Sequence, residues 1–464
     1  MKKKTVRPLV ALAALFLAAL AAMAIYILTD APLSPQAEKM LRHQPPPVLP
    51  ARNAFVGIAG LNAPADGDFI RAGEEDIRRA HQDAPGLSPR QETPQKTQDL
   101  KASAKYAYAC DKEMTEGCLA EIRADAPNIR RLLAENETLI ARYLAIQAMP
   151  EFSNAVVASM AFSLPYNDLM TLSKLLSARA ILDIQAGNVR QGLAFIEQDM
   201  AFYRRTLAAP EIGLVDMMVA VAQIRRQAIL LALLAQEAQL RGETERIKGL
   251  LAPLDSPRET FLNALWREQV FVGQGLYHLA DTVRLRDAQS DGVLDFVALF
   301  LLRKNMTLNL ASEIGETERT LIHDTPLAQL RDMQENWWKK EIRPRVCAVS
   351  EDDFYCRHWK NRTGEILATI APPAHVTYLF KVHDADAHIR LLRAQLEFRQ
   401  AAAQESSQDK ESPEKILARL GPETFNPYTG QPFAWNPERK TIGFMSAAAK
   451  DQKWREVRLD FPAP

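Results

Sequence analysis

The chain has 464 residues, of which 25% are charged and 47% hydrophobic, with equal numbers of acidic and basic side chains. This is enough chain for a large core and more than one structural unit, and the composition excludes collagen-like, disulfide-dense and wholly disordered classes. Charge is unevenly spread: residues 1–30 carry Lys2, Lys3, Lys4 and Arg7 against Asp30, so the remainder is mildly acidic and offers no basic face to nucleic acid.

The basic flank is followed by Leu9–Leu28, a run of 20 residues without a charge. At ~1.5 Å of rise per residue such a helix reaches about 30 Å, the hydrocarbon thickness of a bilayer. Residues 1–30 therefore read as a cytoplasmic flank and transmembrane anchor, with the N-terminus in the cytoplasm and the body on the other side. A cleaved signal peptide is the rival reading, because Ala22-Met23-Ala24 has the small-x-small form of a cleavage site. Against it, the apolar run continues through Leu28. Both readings export the body.

Residues 31–52, with Pro32, Pro35, Pro45, Pro46, Pro47 and Pro50, read as an extended tether that lifts the body off the membrane. Phe55–Leu61 holds two glycines and reads as a strand or buried extended piece. Residues 81–105 are rich in Pro, Gln, Ser, Thr and Lys and read as a mobile loop.

From about 119 to 320 apolar residues recur at helical spacing. Leu172, Leu175, Leu176 and Ile181 lead to a helix end at Gly187-Asn188. A second helix resumes through Leu193, Ile196, Met200 and Tyr203, a hairpin with tetratricopeptide character. A third runs from Leu214 to Arg241, and Ser256-Pro257-Arg258-Glu259 has the form of a helix start. A further helix is expected from Asp384 to Ala403, then a short one opening at Pro413. Phe433 and Trp435 alternate against Ile442 and Phe444 across Asn436–Lys440, which predicts a β-hairpin with one aromatic face. The domain plan is thus a mainly helical unit over 53–403 and a C-terminal helix with β-hairpin over 413–464.

The four cysteines form two local pairs, Cys110 with Cys118 and Cys347 with Cys356. In an exported body these predict two local disulfides. Zinc is the competing reading, but neither pair has C-x-x-C spacing and His358 is the one histidine nearby.

Candidate chemistry is sparse. His383 and His388 flank Asp384 and Asp386 and could ligate a metal, yet a separation of five residues puts them about 140° apart on a helix, and Asp384 in that sequence reads as an N-cap. Glu268 sits in an otherwise apolar helix and, with Asp386, is a catalytic candidate as a general acid or base. Trp337-Trp338-Lys339-Lys340 suits either a lipid interface or core packing of one ring. Asn305-Met306-Thr307 and Asn361-Arg362-Thr363 match glycosylation sequons. Phosphate-binding glycine loops, nucleophile elbows and zinc-protease motifs are missing, so no cofactor is expected.

Several short motifs give the chain a resemblance across nearly its whole length: Asn53–Pro64, the Cys110/Cys118 loop, Lys304–Asn309, Val382-His383-Asp384 and Asn426–Pro432. With the anchor and proline stretch, it resembles a loose group of proteobacterial envelope proteins anchored in the inner membrane. The resemblance implies a periplasmic, mostly helical body and carries over no catalytic role.

The resulting expectation is a mainly α protein: a single transmembrane helix, a periplasmic body of helical hairpins resembling a solenoid, and a small C-terminal β-hairpin. Its expected role is a membrane-tethered scaffold or assembly factor, held by residues 9–28 in the inner membrane and binding an envelope protein. The alternative is an envelope hydrolase acting on cell wall or peptide through acidic residues.

Overall fold

The computed structural model describes residues 29–83, 116–154, 163–286, 302–342, 361–369, 375–404, 411–447 and 454–459, together with 12, 14–22 and 26 in the N-terminal apolar run. The chain is mainly helical, with a small antiparallel sheet near its C-terminus. Residues 14–22 are helical, and every described residue of that run is exposed.

The proline-rich stretch does not form the extended tether expected of it. Helix α1, Pro35–Arg42, starts with Ser34 accepting from the Ala37 amide and Pro35 in the first turn. Its Ala37 and Met40 pack against Val270 and Leu308. The prolines mask a short amphipathic helix, whose apolar residues three apart fall on one face.

A second correction concerns Phe55–Leu61, which is helical rather than extended: α2 spans Ala54–Ala59. Its Asn53 cap accepts from the Phe55 and Ser153 amides and donates to the Ser153 carbonyl. The glycines that argue against a helix serve a helix crossing. A Cβ on Gly60 would lie 1.7 Å from the Phe69 carbonyl oxygen, and one on Gly73 2.1 Å from that of Val56. Only glycine lets α2 meet α3, Phe69–Asp83, at backbone contact.

The body continues through α4 (Glu116–Ala124), α5 (Ala126–Glu135) and α6 (Glu137–Ala148) to the hairpin of α7 (Tyr166–Gln185) and α8 (Val189–Leu207). The hairpin turns at Gly187, φ +87°, as its sequence predicts. Helix α9, Leu214–Leu234, ends seven residues before the expected Arg241, which lies in a 3-10 turn leading to α10, Thr244–Leu250. By length and composition α9 could cross a bilayer, but it is mostly buried and packs on α8, α11 and α15 as a core helix.

Helix α11 begins at the expected Pro257 and runs to Arg286. It packs on α12, Lys304–Asp324, which is followed by α13 (Leu330–Trp337) and α14 (Arg362–Thr369). Trp337 is buried with Ile314 and Ile342, and Lys339 is paired at the surface with Glu335, the core-packing alternative for the Trp-Trp-Lys-Lys sequence. Both sequon asparagines make structural bonds: Asn305 donates to the Ala31 carbonyl, and buried Asn361 accepts from the Arg303 amide.

Helix α15 spans His375–Gln404, nine residues longer at its N-terminus than expected. Ile389, Leu392 and Leu396 face the main core, while Leu391, Ala394 and Phe398 face a second core with α16 (Pro413–Arg419) and the sheet. A helix apolar on two sides joins the two units. The sheet has order β1 (Ala434–Asn436), β2 (Thr441–Met445), β3 (Trp454–Arg458), so the expected hairpin gains a third strand. Trp435 pairs with Ile442, and Asn436 accepts from the Glu438 and Arg439 amides across the turn.

Cys118 is buried on α4 and is not a free thiol. Its expected partner Cys110, the pair Cys347 and Cys356, and the loop over 84–105 lie outside the described residues.

Candidate functional site

Helix α11 carries Arg267 and Glu268 along the flank it turns toward the start of α9. A cleft of about 220 Å³ opens there, walled by Phe55 of α2, Leu164 and Tyr166 at the start of α7, Leu214 and Val215 of α9, and Phe271 of α11. Asn154, Asp216, Arg267 and Glu268 supply its polar groups. Few convergent polar groups on an apolar lining is the usual make-up of a ligand site.

Three of these groups have partners within the body. Asp216 reaches back to the Gly213 amide at 2.9 Å, which fixes the first turn of α9, and accepts from Asn154 Nδ2 at 2.9 Å. Burial raises its carboxyl pKa against those hydrogen bonds and the Arg267 charge. Arg267 donates to the Asn154 carbonyl at 3.0 Å and lies 3.8 Å from Glu211, which pairs with His43 at 3.0 Å.

Glu268 differs. It is half-buried and has no hydrogen-bond partner among the described residues. Burial pushes its carboxyl pKa up and the Asp216 charge adds to this, while His375 and Arg267 oppose it. The Tyr166 hydroxyl, which also lines the cleft, is buried with no partner among the described residues.

On its other side Glu268 meets a smaller cavity of about 40 Å³, room for one or two waters, lined also by Gln269, Gly315, Glu318 and His375. Glu318 and His375 form a buried pair at 2.9 Å. Burial raises the Glu318 carboxyl against the pull of His375, Gln334 and Gln269. Burial works against a charged His375, yet its hydrogen bond to Glu318 and the charges of Glu318 and Glu268 raise its pKa overall. A Cβ on Gly315 would press on the Gln269 side chain at 2.7 Å, so this glycine lets Gln269 lie along α12 and donate to the Gly315 carbonyl.

The structure does not bring the two sequence-derived carboxylates together. Asp386 lines neither cavity; it is fully buried, accepts from the Leu254 amide at 2.7 Å and pairs with Arg390 at 2.8 Å, a joint between α15 and the loop before α11. The capping reading of the His-Asp sequence is also corrected, because α15 starts at His375 and Asp384 falls mid-helix. Asp384 instead accepts from the Tyr428 hydroxyl, the Ser446 hydroxyl and the Ala447 amide, tying α15 to the C-terminal unit.

His388 accepts from Arg225 Nε at 3.0 Å, and burial with the charges of Arg225 and Arg455 pushes its pKa down to about 3. His383 is buried with both ring nitrogens unpartnered among the described residues, its pKa pushed down to about 4, chiefly by burial. The described residues hold no group of three His, Cys, Asp or Glu side chains suited to a metal. Sequence reasoning passed over Asp216, Tyr166, Glu318 and His375. Glu318 had a signal, since it lies four residues from Ile314 and Ile322 on the apolar stripe of α12.

No protein-family profile, curated protein or solved structure matches the chain.

Proposed function

We propose that the chain is a membrane-tethered envelope protein whose helical body works by binding. Residues 9–28 hold it in the inner membrane, the body lies in the periplasm as stacked helical hairpins of tetratricopeptide or solenoid type, and the cleft takes an apolar group with a polar end presented by an envelope protein. The observation that carries this reading is the combination, in one cleft, of apolar walls with the Glu268 carboxyl, raised by burial, and the Tyr166 hydroxyl, buried without a partner among the described residues. Polar groups withdrawn from water without partners cost free energy, and a ligand that completes them recovers it.

Val215 is the place to test this, because it lines the cleft and is 61% exposed. A photo-crosslinking residue at 215, activated in native membranes, is expected to give a discrete protein adduct that Glu268→Gln diminishes. No reproducible adduct, or one indifferent to Glu268, would remove the reading.

A second reading, hydrolysis of cell-wall or peptide bonds, is favoured by one observation: a carboxyl raised by burial lies beside the Glu318–His375 pair. A protonated Glu268 could donate to a leaving group and His375 could take up a proton. Turnover of cell-wall fragments or peptides by the full chain, abolished in Glu268→Gln, would establish it in place of the first.

A further inference from the structure

We infer that the body is clamped against the bilayer, with the first turn of α12 and the Tyr277–Lys304 pair at the level of the lipid headgroups. The inference rests on the reading that residues 9–28 span the membrane and deepens it by naming the face that meets the lipid.

The argument begins with Asp30. Its carboxylate accepts from the backbone amides of Asn305 at 2.9 Å and Met306 at 3.1 Å, capping α12 from a distant part of the chain. Asn305 Nδ2 donates to the Ala31 carbonyl at 2.7 Å. Asn309 then takes both sides of the next stretch, accepting from the Ser34 amide at 2.7 Å and donating to the Pro32 carbonyl at 2.8 Å. Beyond this α1 is seated on α11 and α12, with Gln274 donating to the carbonyls of Met40, Leu41 and His43. A Cβ on Gly273 would lie 2.3 Å from Met40 Sδ, which shows how closely α1 is seated.

The attachment begins immediately after the apolar run. Thr29 alone separates Leu28 from Asp30. A residue spans at most ~3.6 Å, so the Asp30 backbone lies within about 7 Å of that of Leu28. The headgroup layer on each side of a bilayer is about 5–8 Å deep. A segment that leaves the hydrocarbon at Leu28 therefore brings the start of α12 into that layer, with no slack to lift the body away. At this place Lys304 Nζ sits 4.5 Å from the centre of the half-buried Tyr277 ring. An amphipathic ring beside a lysine suits the headgroup level. The described residues of the apolar run are exposed, Leu12, Leu15, Phe16 and Leu17 all by more than 60%.

The test places a photo-crosslinking aromatic residue at Phe16 or at Tyr277 in the full chain, reconstituted in lipid nanodiscs containing a clickable phospholipid. Lipid adducts are expected at both positions. Adducts at 16 with none at 277 would overturn the clamped geometry while leaving the anchor intact; none at 16 would overturn the anchor itself. A twelve-residue Gly-Ser linker inserted between Thr29 and Asp30 leaves every bond described above in place and adds about 20 Å of flexible reach. It is expected to lower adduct yield at 277 several-fold and leave position 16 unchanged. Undiminished adducts at 277 would show that the Asp30 attachment does not hold the body at the lipid, and the inference would fall.

Discussion

Asp199 and Glu268 are both carboxyls withdrawn into the helical body, and the chain treats them oppositely. Asp199, on α8, is fully buried and accepts from the Tyr143 hydroxyl at 2.5 Å, Gln147 Nε2 at 2.6 Å, the Ser173 hydroxyl at 2.7 Å and Gln227 Nε2 at 2.5 Å. Donors from α6, α7 and α9 thus converge on one side chain, and Arg226 adds positive charge by donating to Ser173. Glu268 has no such hydrogen bonds among the described residues and borders two cavities. A completed network fixes how helices pack, whereas an uncompleted carboxyl beside a cleft is left for something from outside.

The comparison breaks first if Asp199 proves dispensable. Asp199→Ala leaves four buried donors without an acceptor and is expected to destabilise the full chain by about 3–5 kcal/mol. Asp199→Asn retains the shape and is expected to cost about 2 kcal/mol. Urea midpoints measure both, and a midpoint unmoved by the alanine would mean that the network does not hold α6, α7, α8 and α9 together.

Where the signal lay in spacing, the sequence was a good guide. The α7–α8 hairpin, its turn at Gly187, the start of α11 at Pro257 and the β1–β2 pairing all follow from local periodicity and turn chemistry. It misled where one residue type serves two physical ends. Gly57 and Gly60 suggest a broken helix, but their purpose lies in contacts with residues remote along the chain, so no local pattern reveals it. The prolines of 31–52 hid α1 for a similar reason, since Pro35 is at home in a first turn. The cleft was legible in Glu268 alone. Asp216 and Tyr166 join it from α9 and α7, and His375 of α15 lines the smaller cavity on the other side of Glu268; nothing along the chain announces that these helices meet.

His383 sharpens the comparison from another side, because it too lacks partners yet borders neither cavity. It packs near the Tyr428 ring, with Arg258 and Arg390 close enough to disfavour its charge. A group whose pKa falls from 6.5 unfolded to about 4 folded binds fewer protons in the native state across that window. Native stability should accordingly fall as pH drops from 6.5 to about 4, by about 3 kcal/mol from this residue. His383→Leu is expected to flatten this limb and to change neutral-pH stability little. A variant as acid-labile as the native chain would show that the ring is not held neutral.

Glu268 carries the opposite sign. Its folded pKa is raised, so the native state binds more protons above pH 4.5, and the associated stability is present below that pH and lost as pH rises through the folded value. Glu268→Gln removes the penalty. The variant should be equal to the native chain or more stable by up to about 1 kcal/mol at neutral pH, while the Val215 adduct is diminished. Loss of stability on this substitution would place Glu268 with Asp199 as a packing residue and dissolve the distinction between them.

An effect of similarly small size falls on a third carboxylate, half-buried and satisfied by a helix end instead of by side chains. Asp30 accepts from the first amides of α12, and the cap is worth about 1 kcal/mol. Asp30→Ala should therefore barely move the urea midpoint that Asp199→Ala moves strongly. Its effect is local: amide hydrogen exchange at Asn305 and Met306 is expected to quicken, because those donors lose their acceptor, while exchange in α6 and α8 around Tyr143 and Asp199 stays as slow as before. Quickened exchange throughout the body would mean that the segment after the apolar run is part of the cooperative core, and Asp30 would then rank with Asp199 despite its place at the periphery.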